Sequence, residues 1–196
     1  MCKIICVTNR KLCRENFTDR IEKIASLHPH AIVLREKDLQ ESEYESLAKQ
    51  VLEICEKHGT QCILHSFSDT AIKLGHRKIH LPLHLLRELS EEKKKHFDVI
   101  GSSVHSVEDA VEAERLGCTY ITAGHIFATD CKKGLEPRGL DFLRGVVQAV
   151  NIPVFGIGGI DAENIKSVTE ICSVACIMSG LMVCDDPKKY MEELTK

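Results

Sequence analysis

The sequence predicts a compact, single-domain α/β protein, a (β/α)8 barrel over residues 1–196. Three observations predict it. Strand-like and helix-periodic segments alternate strictly from end to end, which implies parallel strands joined by crossover helices. Eight such pairs can be counted with none left over and no linker between them. The length of 196 residues holds one substantial core and leaves little chain for a second. An open doubly wound sheet would also satisfy the alternation, but a count of eight favours closure.

The elements follow in order. An apolar run from Ile4 to Val7 sets the first strand over 3–8, followed by a helical pattern over 18–27. Ala31 to Leu34 form the second strand. Ser42 and Glu45 have capping-box spacing ahead of Leu47, Val51, Ile54 and Cys55, which share one helix face. The third strand covers 61–64 and leads to a short helix over 68–74; the fourth covers 78–81. Pro82 then fixes the start of a helix over 83–96. Residues 98–101 form the fifth strand, and Ser106 with Asp109 caps a helix carrying Val107, Ala110, Val111 and Leu116. The sixth strand, 119–123, opens into a polar loop from Gly124 to Arg138 and a helix over 140–150. Strands at 153–157 and 174–178 alternate with helices at 161–171 and 187–194.

Composition narrows the function classes. At 43% hydrophobic and 28% charged, the chain sits near the soluble globular average. No apolar run approaches the ~20 residues of a membrane-spanning helix. The N-terminus enters a strand directly without a signal-peptide plan, so a cytoplasmic location is expected. A net charge of −3, from 26 basic and 29 acidic residues, argues against nucleic-acid binding. None of the ten cysteines forms a Cys-x-x-Cys pair, so zinc-ribbon spacing is absent. Most stand beside Ile, Val or Leu and read as buried reduced thiols; Cys131, in a polar loop, is the exception.

In a barrel, chemistry gathers where the strands end. Gly158 and Gly159 follow strand seven, and Ser179 and Gly180 follow strand eight, each pair just ahead of a predicted helix. Backbone N–H groups there can approach an anion closely, which predicts a phosphate site; tight turns alone are the plainer reading. Arg35 and Lys37, after strand two, place positive charge at the mouth, with Glu36 on the opposite side of the strand. A surface ion-pair cluster would explain them equally well. Ser103 follows strand five. The long loop after strand six carries His125, Thr129 and Lys132, and His125 is the best-placed general acid or base. His65, His80, His84 and His105 stay open, whereas His28, His30, His58, His76 and His96 fall away from that face. No catalytic Ser/His/Asp order, P-loop or dinucleotide fingerprint is present.

Taken together, Val7-Thr8-Asn9, Leu34-Arg35-Glu36-Lys37, Gly101-Ser-Ser-Val-His-Ser106 and Ile157-Gly-Gly-Ile160 resemble the thiamin phosphate synthase superfamily, in order and along the whole chain. Within it, the string from Gly124-His125 through Thr129-Asp130-Cys131-Lys132 to Gly139 is similar to the thiazole tautomerase branch. That resemblance implies a cofactor-free isomerase acting on a carboxythiazole ethyl phosphate, with His125 moving the proton. Arg35, Lys37 and Lys132 are then candidates for the carboxylate, and Gly158, Gly159, Ser179 and Gly180 for the phosphate. The synthase branch implies instead a Mg²⁺-dependent coupling of a pyrimidine diphosphate with a thiazole phosphate. Its Asn-Asp pair and its Gly-Gln-x-Asp segment are replaced here by His65-Ser66 and Pro82-Leu83-His84-Leu85, so no metal site is expected. A third reading is a non-catalytic protein that binds the phosphorylated thiazole or thiamin phosphate. By resemblance to the superfamily, a homodimer is expected.

Overall fold

The computed structural model describes residues 3–129 and 134–196. Eight parallel strands close into a barrel in sequence order: β1 (Lys3–Val7), β2 (Ala31–Leu34), β3 (Cys62–His65), β4 (Lys78–Pro82), β5 (Val99–Val104), β6 (Tyr120–Gly124), β7 (Val154–Ile157) and β8 (Val174–Ile177). Closure is made by β1 against β8, with Lys3 opposite Val174 and Cys6 opposite Ile177. The predicted class and strand count agree with this architecture.

Alternation along the strands divides the apolar residues into two sets. Ile5, Val7, Ala31, Val33, Ile63, Tyr120, Val174 and Cys176 fill the barrel interior as one buried cluster. Their neighbours, among them Ile4, Cys6, Ile32, Leu34, Leu64, Ile79, Ile121 and Ala175, face outward into the larger cluster beneath the helices. Six of the eight cysteines among the described residues are buried.

The helices are α1 (Phe17–Ala25), α2 (Glu41–Lys57), α3 (Ser68–Lys73), α4 (Leu83–Glu88), α5 (Glu91–Lys94), α6 (Val107–Arg115), α7 (Gly139–Ala149), α8 (Ile165–Thr169), α9 (Ser179–Val183) and α10 (Pro187–Leu194). Three departures from the expected elements have local causes. The predicted helix over 83–96 is two helices, because Leu89 is extended (ψ 114°) and the Ser90 hydroxyl caps the second by accepting from Lys93 N. The capping box before α2 lies two residues earlier than expected, where the Glu43 carboxylate accepts from Gln40 N at 2.9 Å. Glu45 instead pairs with Lys49 and Lys73. Finally, α8 starts only at Ile165, since Asp161 Oδ1 accepts from Glu163 N and Asn164 N and holds a turn ahead of it.

Candidate active site at the barrel mouth

Inward-facing positions at the C-terminal ends of β3 to β6 carry polar residues where the rest of the interior is apolar. His65 lies opposite His80 in the strand register, and their rings stack with centroids 5.4 Å apart. His80 Nδ1 is 2.9 Å from the Tyr120 hydroxyl, and Nε2 is 2.8 Å from Ser103 Oγ, which also accepts from Thr122 Oγ1 at 3.2 Å. A neutral imidazole offers one donor and one acceptor, so Tyr120 and Ser103 play opposite roles toward it. Burial pushes His80 down to about 3, with Lys37 and Arg35 adding in that order. Burial also takes His65 well below its ordinary value, helped by His80, Lys37 and Arg35. Both rings are therefore neutral at pH 7, their charged forms disfavoured by burial and by the positive charge of Lys37 and Arg35. Gly101 makes room for this arrangement: a Cβ there would lie 2.1 Å from Tyr120 Cζ.

The β2 end is fastened from behind. Arg35 is half-buried and Lys37 exposed, and between them Glu36 is only 2% exposed. Its carboxylate accepts from Thr8 Oγ1 (2.7 Å), from Arg10 N (3.0 and 3.1 Å) and from Arg10 Nη1 (3.1 Å). Thr8 Oγ1 in turn accepts from Arg35 N at 2.9 Å. Glu36 thus ties the segment that carries the two cations to the chain leaving β1.

The other predicted residues fall as follows. His125 is buried under the β6 loop, its Nε2 3.4 Å from the Leu135 carbonyl oxygen. Thr129 is half-buried on the same loop. Lys132 and Cys131 lie outside the described residues. Gly158 and Gly159 both have positive φ, 101° and 66°. A Cβ on Gly158 would lie 2.3 Å from His125 Cβ, and one on Gly159 2.4 Å from the Ala128 oxygen. Part of their purpose is therefore to seat the β6 loop, which Phe127 N donating to Gly158 O completes. The expectation that these glycines sit just before a helix is corrected, because α8 begins six residues after Gly159. Ser179 is exposed at the first residue of α9, and Gly180 packs on Tyr190, whose hydroxyl would be 2.0 Å from a Cβ. His105, outside the network, places Nδ1 2.6 Å from the Gly124 oxygen, and His84 is exposed on α4.

Tyr120 and Thr122 were absent from the predicted site. The signal for them was the strand alternation itself: once Ser103 is placed inward, its register partner Thr122 and the inward Tyr120 follow. Among the described residues no group of three His, Cys, Asp or Glu side chains is placed to hold a metal ion. At the positions where the synthase resemblance implies Mg²⁺ ligands stand a neutral, buried imidazole and the junction of β4 with α4 at Pro82–Leu85, with no carboxylate. The residues present do not fit that ion.

Comparison with known proteins decides between the branches. The family described as thiamine monophosphate synthase matches residues 4–181. A thiamine-phosphate synthase of Clostridium tetani is 32% identical over 99% of this chain and 94% of its own length. One from Fusobacterium nucleatum is 31% identical over 100% and 96%. Among solved structures, thiamine phosphate pyrophosphorylase from Pyrococcus furiosus superposes with a TM-score of 0.84 at 27% identity, covering 98% of this chain and 93% of that one. These relatives overturn the isomerase reading. They are named as synthases, which are transferases, and the likeness extends over nearly the whole chain, whereas the tautomerase resemblance rested on the single loop after β6. The proton-shuttling role given to His125 goes with that reading. The chain belongs to the thiamine monophosphate synthase family.

Proposed function

We propose that this protein catalyses the transfer its relatives are named for, coupling a pyrimidine diphosphate with a thiazole phosphate to give thiamine phosphate and pyrophosphate. The observation that carries the reading is the likeness to synthases over nearly the whole chain, at 30–33% identity, in a chain that carries two cations just after β2. In this coupling the bond to the diphosphate breaks as the bond to the thiazole forms, and negative charge grows on the departing group. Arg35 and Lys37 are the residues to meet that charge, and the Glu36 network holds them in place before substrate arrives. Ser103 supplies a hydroxyl near the C-terminal end of β5. The loops at Gly158-Gly159 and Ser179-Gly180 are left for the phosphate of the thiazole partner, whose binding needs backbone N–H groups more than side chains. His65 and His80, kept neutral, leave the mouth's charge to Arg35 and Lys37.

The missing carboxylates favour one further reading, a protein that binds the phosphorylated thiazole or its product without turnover. An assay of purified protein with both substrates, with and without Mg²⁺, separates the two. Release of pyrophosphate in step with thiamine phosphate is the expected result. Binding of thiazole phosphate with no product under either condition would replace the transferase by the binder.

A further inference from the structure

Side chains from β4, β5 and β6 share one line of hydrogen bonds inside the barrel, and that line has a direction. Tyr120, His80 and Thr122 are buried, whereas Ser103 is half-buried. Among the described residues the Tyr120 hydroxyl bonds His80 Nδ1 alone, at 2.9 Å. Burial takes this phenol well above its ordinary value, so near pH 7 it keeps its proton. A buried donor left unpaired costs more than an unfilled lone pair, so Tyr120 donates and His80 Nδ1 accepts. The single proton of a neutral imidazole must then sit on Nε2, which donates to Ser103 Oγ at 2.8 Å. The buried Thr122 hydroxyl bonds Ser103 alone and donates to the same oxygen at 3.2 Å. Two donors fill the two lone pairs of Ser103 Oγ. Its own proton is the one that the four side chains leave without an acceptor, and Ser103 is the one member that is not buried.

We propose that Tyr120 and His80 are positioning residues that hold Ser103 as a fixed hydrogen-bond donor, so that the ligand atom it meets is an acceptor. The His80 ring is packed for this task against Tyr120 and His65, with centroids 5.6 and 5.4 Å away. A phosphoryl oxygen, which carries lone pairs and no proton, suits such a hydroxyl. An N–H or O–H donor at the same point would set two protons against each other. The choice of a phosphoryl oxygen rests on the transferase reading above, whereas the direction of the hydrogen bonds does not. Tyr120 acts here without touching the ligand. Without its hydroxyl, His80 is free to carry its proton on Nδ1. Ser103 can then turn its own proton inward to Nε2 and cease to donate outward.

Long-range proton–nitrogen NMR and calorimetry on the full chain test this. With no ligand and near pH 7, the His80 ring should appear as the Nε2–H tautomer, its signals assigned by their loss in His80→Gln. In Tyr120→Phe the same ring should move to the Nδ1–H form or to a mixture of the two. Inorganic pyrophosphate is the probe for the second measurement, in which Ser103→Ala should weaken binding about 10-fold. Tyr120→Phe should weaken it about 3–10-fold when Ser103 is present and add nothing in the Ser103→Ala background. A His80 ring protonated on Nδ1 in the unaltered protein would overturn the inference, whether or not Tyr120→Phe folds. So would a Tyr120→Phe loss of equal size with and without Ser103, since that marks a merely structural hydroxyl. If the tautomer is as expected and pyrophosphate does not bind, the transferase reading falls and Ser103 stands as a donor.

Discussion

Glu36 shows how one buried side chain can set the chemistry of its neighbours without touching a ligand. Four hydrogen bonds converge on its carboxylate, from Thr8, Arg10 N twice and the Arg10 guanidinium. Glu36→Ala would orphan a buried hydroxyl and a backbone N–H, and is expected to cost about 2–4 kcal/mol of stability in urea unfolding. Arg35→Ala removes a cation and little packing. It should weaken inorganic pyrophosphate binding by about 10–100-fold in calorimetry, and an unchanged affinity would take Arg35 out of the site. His80 adds a pH dependence. Its imidazole titrates at about 3 when folded, against 6.5 for the ordinary group. Between those values the unfolded chain binds the extra proton, so acid favours unfolding. The stabilisation is complete above about pH 6.5 and is lost as pH falls toward 3, an effect of the order of a few kcal/mol. His80→Gln has no such titration, and its urea midpoint should fall less steeply from pH 6.5 to 4 than that of the unaltered protein.

At the level of elements, helix ends separate what the sequence makes readable from what it does not. Ser106 was expected to cap a helix and does: its Oγ accepts from Asp109 N at 3.0 Å. Ser106→Ala should therefore cost about 1 kcal/mol. Ser42 carried the same spacing signal, yet it lies inside the first turn of α2, where Gln40 and Glu43 form the box. Ser42→Ala should fall within about 0.5 kcal/mol of the unaltered protein, and a full cap-sized loss would contradict the observed start of α2. Strand positions were legible to within a residue or two at most ends because apolar runs bounded by Gly, Pro and polar residues have few alternative readings. The C-terminal extension of β5 to Val104 was missed, since Gly101, Ser102 and Ser103 look like a turn and only tertiary pairing with Pro82 and Thr122 makes them strand. That Arg35 and Lys37 stand just after a strand end could be read from the sequence. The neutral His65–His80 pair could not, because a histidine's burial depends on three strands meeting, which no local pattern encodes.

Across the whole molecule, the barrel depends on its last strand as much as on its first. The ring closes by pairing β1 with β8, and β8 also completes the interior through Val174 and Cys176. Neither β1 nor β7 has another partner on that side. A chain ending at Ile171 would leave two exposed parallel edges and uncover Ile5, Val7 and Phe155, an arrangement that invites edge-to-edge association. It would also lose α10, which packs against α1 and α9. Because closure is shared around the ring, the loss should not be confined to the cut end. The truncated chain is expected to show no sharp thermal transition, to bind a hydrophobic dye strongly, and to elute as aggregate from a sizing column. A cooperative, monomeric seven-stranded remnant in that experiment would mean that the sheet is stable open and that closure by β8 contributes only locally.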